Sequence, residues 1–194
     1  MIILYHASPI KGITQLKPKI SNHGIPLIYF SKKRENVLVY LSNAIEKYCL
    51  EKGFAHDGSY EKWGPYGFDE YGRFQLQEYY PDALKSTYQG VSGYIYGVWD
   101  EELSESGVDI HIPDAVTSCN PVKVFDTEFV ADAYEAILQA EKEGLISIMR
   151  YKEMSAEMRG WLVESIRNEY EGAIQHPEYQ FFLRGNFPDI LSDK

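Results

Sequence analysis

The sequence predicts an α+β fold, and three observations predict it. Short apolar runs, some alternating with polar residues, recur up to residue 129, which is the pattern of strands. From Val130 onward the apolar residues fall at helical spacing instead. Glycine and proline punctuate the first part at the ends of runs, where turns are needed. Strands first and helices afterwards describe a sheet with helices packed on it, so the chain divides into a core over 1–129 and a helical extension over 130–194. With 194 residues it is long enough to bury a core without covalent staples.

Residues 2–6, IILYH, read as a buried strand that ends at Pro9. GITQLKPKIS is a loop with one buried leucine, and Asn22–His23–Gly24 is a turn signal. LIYFS, from Leu27 to Ser31, is the second strand. Ser31 is placed to cap a helix over Glu35–Lys52, whose Val37, Leu38, Leu41, Ala44, Ile45 and Tyr48 form one stripe and which Gly53 ends. GRFQLQEYY alternates as a strand does, and PDALKSTYQG reads as a short helix between Pro81 and Gly90. GYIYGVW, Gly93 to Trp99, is a third strand, followed by an acidic loop or short helix; DIHIP alternates as a half-exposed strand, and VKVF after Asn120 is the fourth. Three helical patterns close the chain: VADAYEAILQAEKEG, a helix capped by Ser155, and HPEYQFFLRGNFPDIL.

Composition narrows the function. The net charge of −10 argues against broad binding to nucleic acid backbones. It is unevenly spread. Residues 1–40 hold Lys11, Lys17, Lys19, Lys32, Lys33 and Arg34 against Glu35 alone, a local +5 that leaves −15 for the rest. Such a patch suits a small anion such as a pyrophosphate, and equally suits a solvated loop. Cys49 and Cys119 are far apart and read as reduced thiols of a cytoplasmic protein. The N-terminus lacks the basic start and long apolar stretch of a signal peptide, and no run is long enough to span a bilayer.

Phosphate-binding loops, dinucleotide fingerprints and the serine elbow of hydrolases are absent. The histidines His6, His23, His56, His111 and His176 show no metal-ligand spacing, so no metal is expected. What remains is His6 on the first strand and Tyr29 on the second. Either alone reads as packing. Their order is more informative: Tyr5-His6-Ala7-Ser8, then Leu16-Lys17-Pro18, then Tyr29-Phe30-Ser31 running into a helix. Tyr94-Ile95-Tyr96-Gly97-Val98 follows, leading into acids, and then Ser118-Cys119-Asn120-Pro121-Val122-Lys123-Val124.

Over about residues 3–126 this layout resembles the ADP-ribosyltransferase superfamily. It is most similar to the small bacterial rifampicin ADP-ribosyltransferases, and also to a group of Gram-positive bacterial proteins sharing the Tyr-Tyr-Pro and Gly-Tyr-Ile-Tyr runs. The resemblance implies a split antiparallel β-sandwich and an NAD-dependent mono-ADP-ribosyltransferase, with NAD as co-substrate and an unknown acceptor as partner. It makes His6 the ribose contact, Ala7 the backbone contact for the carboxamide and Tyr29 the ring stacked on nicotinamide. Ser8, Ser31, Lys17 and the lysines at 19, 32 and 33 fall to the pyrophosphate. The carboxylate of the family falls at Asp100, with Glu101 and Glu102 beside it; Glu78 and Glu128 are the alternatives. Ala7 stands where many relatives have glycine, which tightens the approach of a ligand. The aromatic insertion from Tyr60 to Phe74 is a lid or a packing loop. Two other readings stand beside the transferase: a catalytically silent module acting through a helical tail that forms a homo-oligomer, and an RNA 2′-phosphotransferase-like enzyme, which scarce arginine and the acidic charge disfavour.

Overall fold

The computed structural model describes residues 1–20, 24–56, 63–103 and 107–192. Asn22 and His23 of the turn signal and part of the aromatic insertion, including Tyr60, lie outside the described residues, while Gly24 has φ 73° as a turn requires. The chain is mixed α+β with mainly antiparallel pairing. In order it forms β1 (Ile3–Ser8), β2 (Gln15–Leu16), β3 (Lys19–Ile20), β4 (Pro26–Ser31), α1 (Ala44–Lys52), β5 (Tyr66–Phe68), β6 (Phe74–Gln77), α2 (Ala83–Tyr88), β7 (Gly93–Trp99), β8 (Ala115–Ser118), β9 (Val122–Lys123), β10 (Asp126–Val130), α3 (Ala133–Lys142), β11 (Ser147–Met149), α4 (Ala156–Gly172), α5 (Pro177–Asn186) and α6 (Pro188–Leu191).

The main sheet runs β10-β7-β1-β4-β3, with β8 also paired to β4. β1 and β7 share six residue pairs, from Ile3↔Trp99 to Ser8↔Tyr94. Alternation along β1 serves two cores. On one face Ala7 joins Ile95, Val37, Leu38, Leu41 and Ile137 beneath the helices. On the other face Leu4 joins Ile28, Phe30, Tyr96 and Val98, covered by Leu16 and Val122 of the β2–β9 ribbon. A third cluster binds the C-terminal helices to α1: Ile45 and Cys49 pack with Leu162, Ile166, Phe182 and Leu183.

Four local expectations change. The helix over Glu35–Lys52 is broken into a 3-10 segment, Arg34–Tyr40, and α1. The reason is tertiary: Leu38 and Leu41 belong to the sheet-side cluster, Ile45 and Cys49 to the C-terminal one, so the chain turns between them. Ser31 accepts the Lys33 N–H at 3.1 Å instead of capping the segment, whereas Ser155 caps α4 by accepting from Met158 and Gly53 ends α1 in the left-handed region. DIHIP is not a strand: the Asp109 carboxylate accepts the His111 N–H, and His111 has φ 56°. VKVF divides, because Val122 pairs with β2 while Phe125 turns over Gly97 into β10. After residue 130 the chain is helical apart from β11, which adds a parallel strand to β6, and the 3-10 turn Tyr151–Glu153.

Candidate functional site

The two strands that carry His6 and Tyr29 are neighbours, yet they part almost at once. β1 and β4 share one residue pair, Tyr5↔Ser31. Beyond it, toward Ser8 and toward Pro26, the two strands wall a cavity of about 360 Å³. Its lining includes His6, Ala7 and Ser8 on β1, Leu27, Ile28 and Tyr29 on β4, and Ile10, Ile13, Lys17 and Lys19 from the loop between them. That volume lies in the range of small-molecule sites.

His6 spans the gap. Its Nδ1 lies 2.8 Å from the Tyr29 carbonyl oxygen. A carbonyl only accepts, so Nδ1 carries a proton and donates it to this bond. The ring also meets Phe30 edge-on at 6.1 Å. The side chains of His6 and Tyr29 leave the sheet on opposite faces. Ile28 and Phe30 enter the cluster of Leu4, so Tyr29 between them points the other way. There it stands beside Tyr40, whose hydroxyl bonds Tyr66; burial, with these two tyrosines, pushes Tyr40 far above the ordinary phenol range. The split strands thus offer an imidazole from one side and a group of tyrosines from the other.

The rim of the cavity is held by a residue that the sequence reading did not single out. Tyr96, fully buried, receives the Ile13 N–H on its hydroxyl at 3.3 Å and donates to the Ile10 carbonyl. The Tyr-Ile-Tyr run signalled a strand but not this clamp. Ser8 accepts the Ile10 N–H at 3.2 Å, fixing the same loop from β1.

The other expected residues divide. Lys17 lies at the cavity, while Ser31 is taken up by the Lys33 N–H. Lys33 pairs instead with Asp114 at 2.8 Å. Asp100 sits at the far end of β1, where it accepts the Ile2 N–H at 2.9 Å. Six residues of extended chain separate Ile2 from Ser8, about 20 Å. That backbone bond holds the Asp100 carboxyl below its usual range. Glu102 is exposed in the 3-10 turn after it. Glu78 is buried and accepts the backbone N–H groups of Leu84 and Tyr151, a structural role.

Glu128 is differently placed. It pairs with Ile95 across β7, and Ile95 pairs with Ala7, so Glu128 lies in the same cross-strand row, about 10 Å from Ala7. Its two oxygens accept from one guanidinium, Arg34 Nε at 2.9 Å and a second Arg34 nitrogen. The pair raises Arg34 beyond its already high value. No family model, curated protein or solved structure matches this chain.

Proposed function

We propose that the chain is an NAD-dependent mono-ADP-ribosyltransferase with the fold of that superfamily, and that the opening between β1 and β4 receives the dinucleotide. The observation that carries the reading is the parting of these strands after Tyr5↔Ser31, which leaves the cavity flanked by His6, Ala7 and Tyr29. Lys17 and Lys19 bring positive charge to it, as a pyrophosphate requires.

Cleaving the bond between nicotinamide and ribose leaves the electron pair on nicotinamide and cationic character on the ribose. That step is favoured by a held ribose and by negative charge near the developing cation. In this reading His6 contacts a ribose hydroxyl, and its orientation is fixed by the Tyr29 carbonyl. Tyr29 and Tyr40 supply aromatic surface on the opposite face. The carboxylate is Glu128 rather than Asp100 or Glu102, because Glu128 shares a row with Ala7. Incubation with NAD labelled in the nicotinamide and in the adenosine tests this. Nicotinamide release and transferred label are expected from the parent protein, and loss of both from Glu128→Gln.

One observation favours a second reading, a catalytically silent nucleotide-binding module. Arg34 already neutralises both oxygens of Glu128. NAD binding without nicotinamide release would select this reading.

A further inference from the structure

The cavity between β1 and β4 changes character from floor to mouth. Ala7, Leu16, Leu27 and Ile28 line it and are buried, so they form its floor. Ile13 stands half-buried above them. Ser8, the buried hydroxyl of the lining, already accepts the Ile10 N–H. The deep part is therefore an apolar surface. Lys17 and Lys19 are exposed and stand at the mouth.

Two isoleucines share that mouth. Ile10 is 55 % exposed and Ile20 81 %. One exposed isoleucine needs no explanation. Here two of them border a pair of lysines over an apolar hollow, so hydrocarbon lines the cavity at both depths and the lysine charges stand at its rim. Among the described residues no carboxylate lines the cavity, in a chain whose net charge is −10. A pyrophosphate accounts for the lysines but not for the isoleucines.

We propose that this cavity binds a single-chain amphiphilic anion, an alkyl chain of medium length ended by a carboxylate. The chain lies on Ile13, Leu16, Leu27 and Ile28, and the carboxylate meets Lys17 and Lys19 at the mouth. A volume of about 360 Å³ is near the lower end of ligand sites, which suits one alkyl chain and not the two of a membrane lipid. The contact needs no NAD, so the proposal stands apart from the transferase reading. Where both hold, the anion and the dinucleotide exclude each other.

The test is calorimetric titration with decanoate, without NAD and below the concentration at which decanoate forms micelles. Saturable binding is expected, with a negative heat-capacity change from the buried hydrocarbon. Affinity should rise about fourfold per added methylene from hexanoate through octanoate to decanoate. Lys17→Gln and Lys19→Gln together change only exposed side chains and should weaken binding about tenfold or more while the melting curve stays that of the parent. Ile13→Ser, checked in the same way, should weaken it as well. Absence of saturable binding overturns the proposal. So does equal binding of decyltrimethylammonium, affinity that ignores chain length, or binding indifferent to the lysine pair. Attachment to phosphatidylglycerol vesicles by a protein that does not take up decanoate would assign the rim to a membrane surface and also overturn it. Decanoate binding by a protein that releases no nicotinamide from NAD would uphold this proposal and defeat the transferase reading.

Discussion

The imidazole of His6 donates from Nδ1 to the carbonyl oxygen of Tyr29 across 2.8 Å, at the place where β1 and β4 cease to pair. A side chain thus takes a backbone acceptor that regular pairing would have used, and the ring is oriented by the residue it was expected to work with. Removing it has two consequences. His6→Ala should lower stability by about 1 kcal/mol through the lost bond. It should also abolish NAD turnover in a protein that still melts cooperatively. Calorimetric melting and nicotinamide release measure the two separately.

Glu128 and Asp100 make a discriminating pair. Glu128→Gln should reduce nicotinamide release by about 100-fold or more, the scale of losing a group that stabilises transition-state charge. Asp100→Asn should leave turnover near the parent value, because Asp100 stands at the far end of β1. The reverse result would move the site to the other end of the sheet.

Asp100 should instead affect stability in acid. Its folded pKa is depressed by the Ile2 N–H, so its contribution is present above the unfolded carboxyl value of about 4 and is lost as pH falls through the lower folded value. The melting-temperature difference between parent and Asp100→Asn should therefore shrink as pH drops below about 4.

Alkali should act through tyrosine. Burial raises Tyr40, Tyr80 and Tyr88 above the usual phenol value. The unfolded chain ionises near pH 10 while these groups in the fold do not, so stability falls as pH rises past about 10. A spectrophotometric titration should show exposed tyrosines ionising first and the buried ones only together with unfolding.

Two helical glycines should respond oppositely to alanine. A Cβ on Gly185 would run into the Tyr48 hydroxyl, so Gly185→Ala should cost about 1–3 kcal/mol by forcing α5 from α1. A Cβ on Gly160 meets nothing within 4 Å, and Gly160→Ala in α4 should stabilise by about 0.5–1 kcal/mol. Denaturant melts of the two variants measure both.

Elements whose two faces each serve one cluster along their whole length were legible in the sequence. Gly93–Trp99 is read to the residue, since every second side chain there is fixed by the same cluster. The break at Leu41 was not legible, because Val37, Leu38, Leu41 and Ile45 keep helical spacing while serving two different clusters. At the site, the order of His6, Ala7 and Tyr29 was readable, but not their faces, which depend on the single pair Tyr5↔Ser31. Glu128 was readable only as one acid among several; its row with Ala7 exists through β7, which local pattern does not encode. The Tyr96 clamp spans more than eighty residues of chain and left no local signal.

The most direct measurement is a map of backbone amide chemical shifts during titration with NAD. The account predicts that His6, Ala7, Ser8 and Tyr29 shift together and saturably, and that His6→Ala weakens the response. A folded protein in which NAD leaves those four amides unmoved would contradict it.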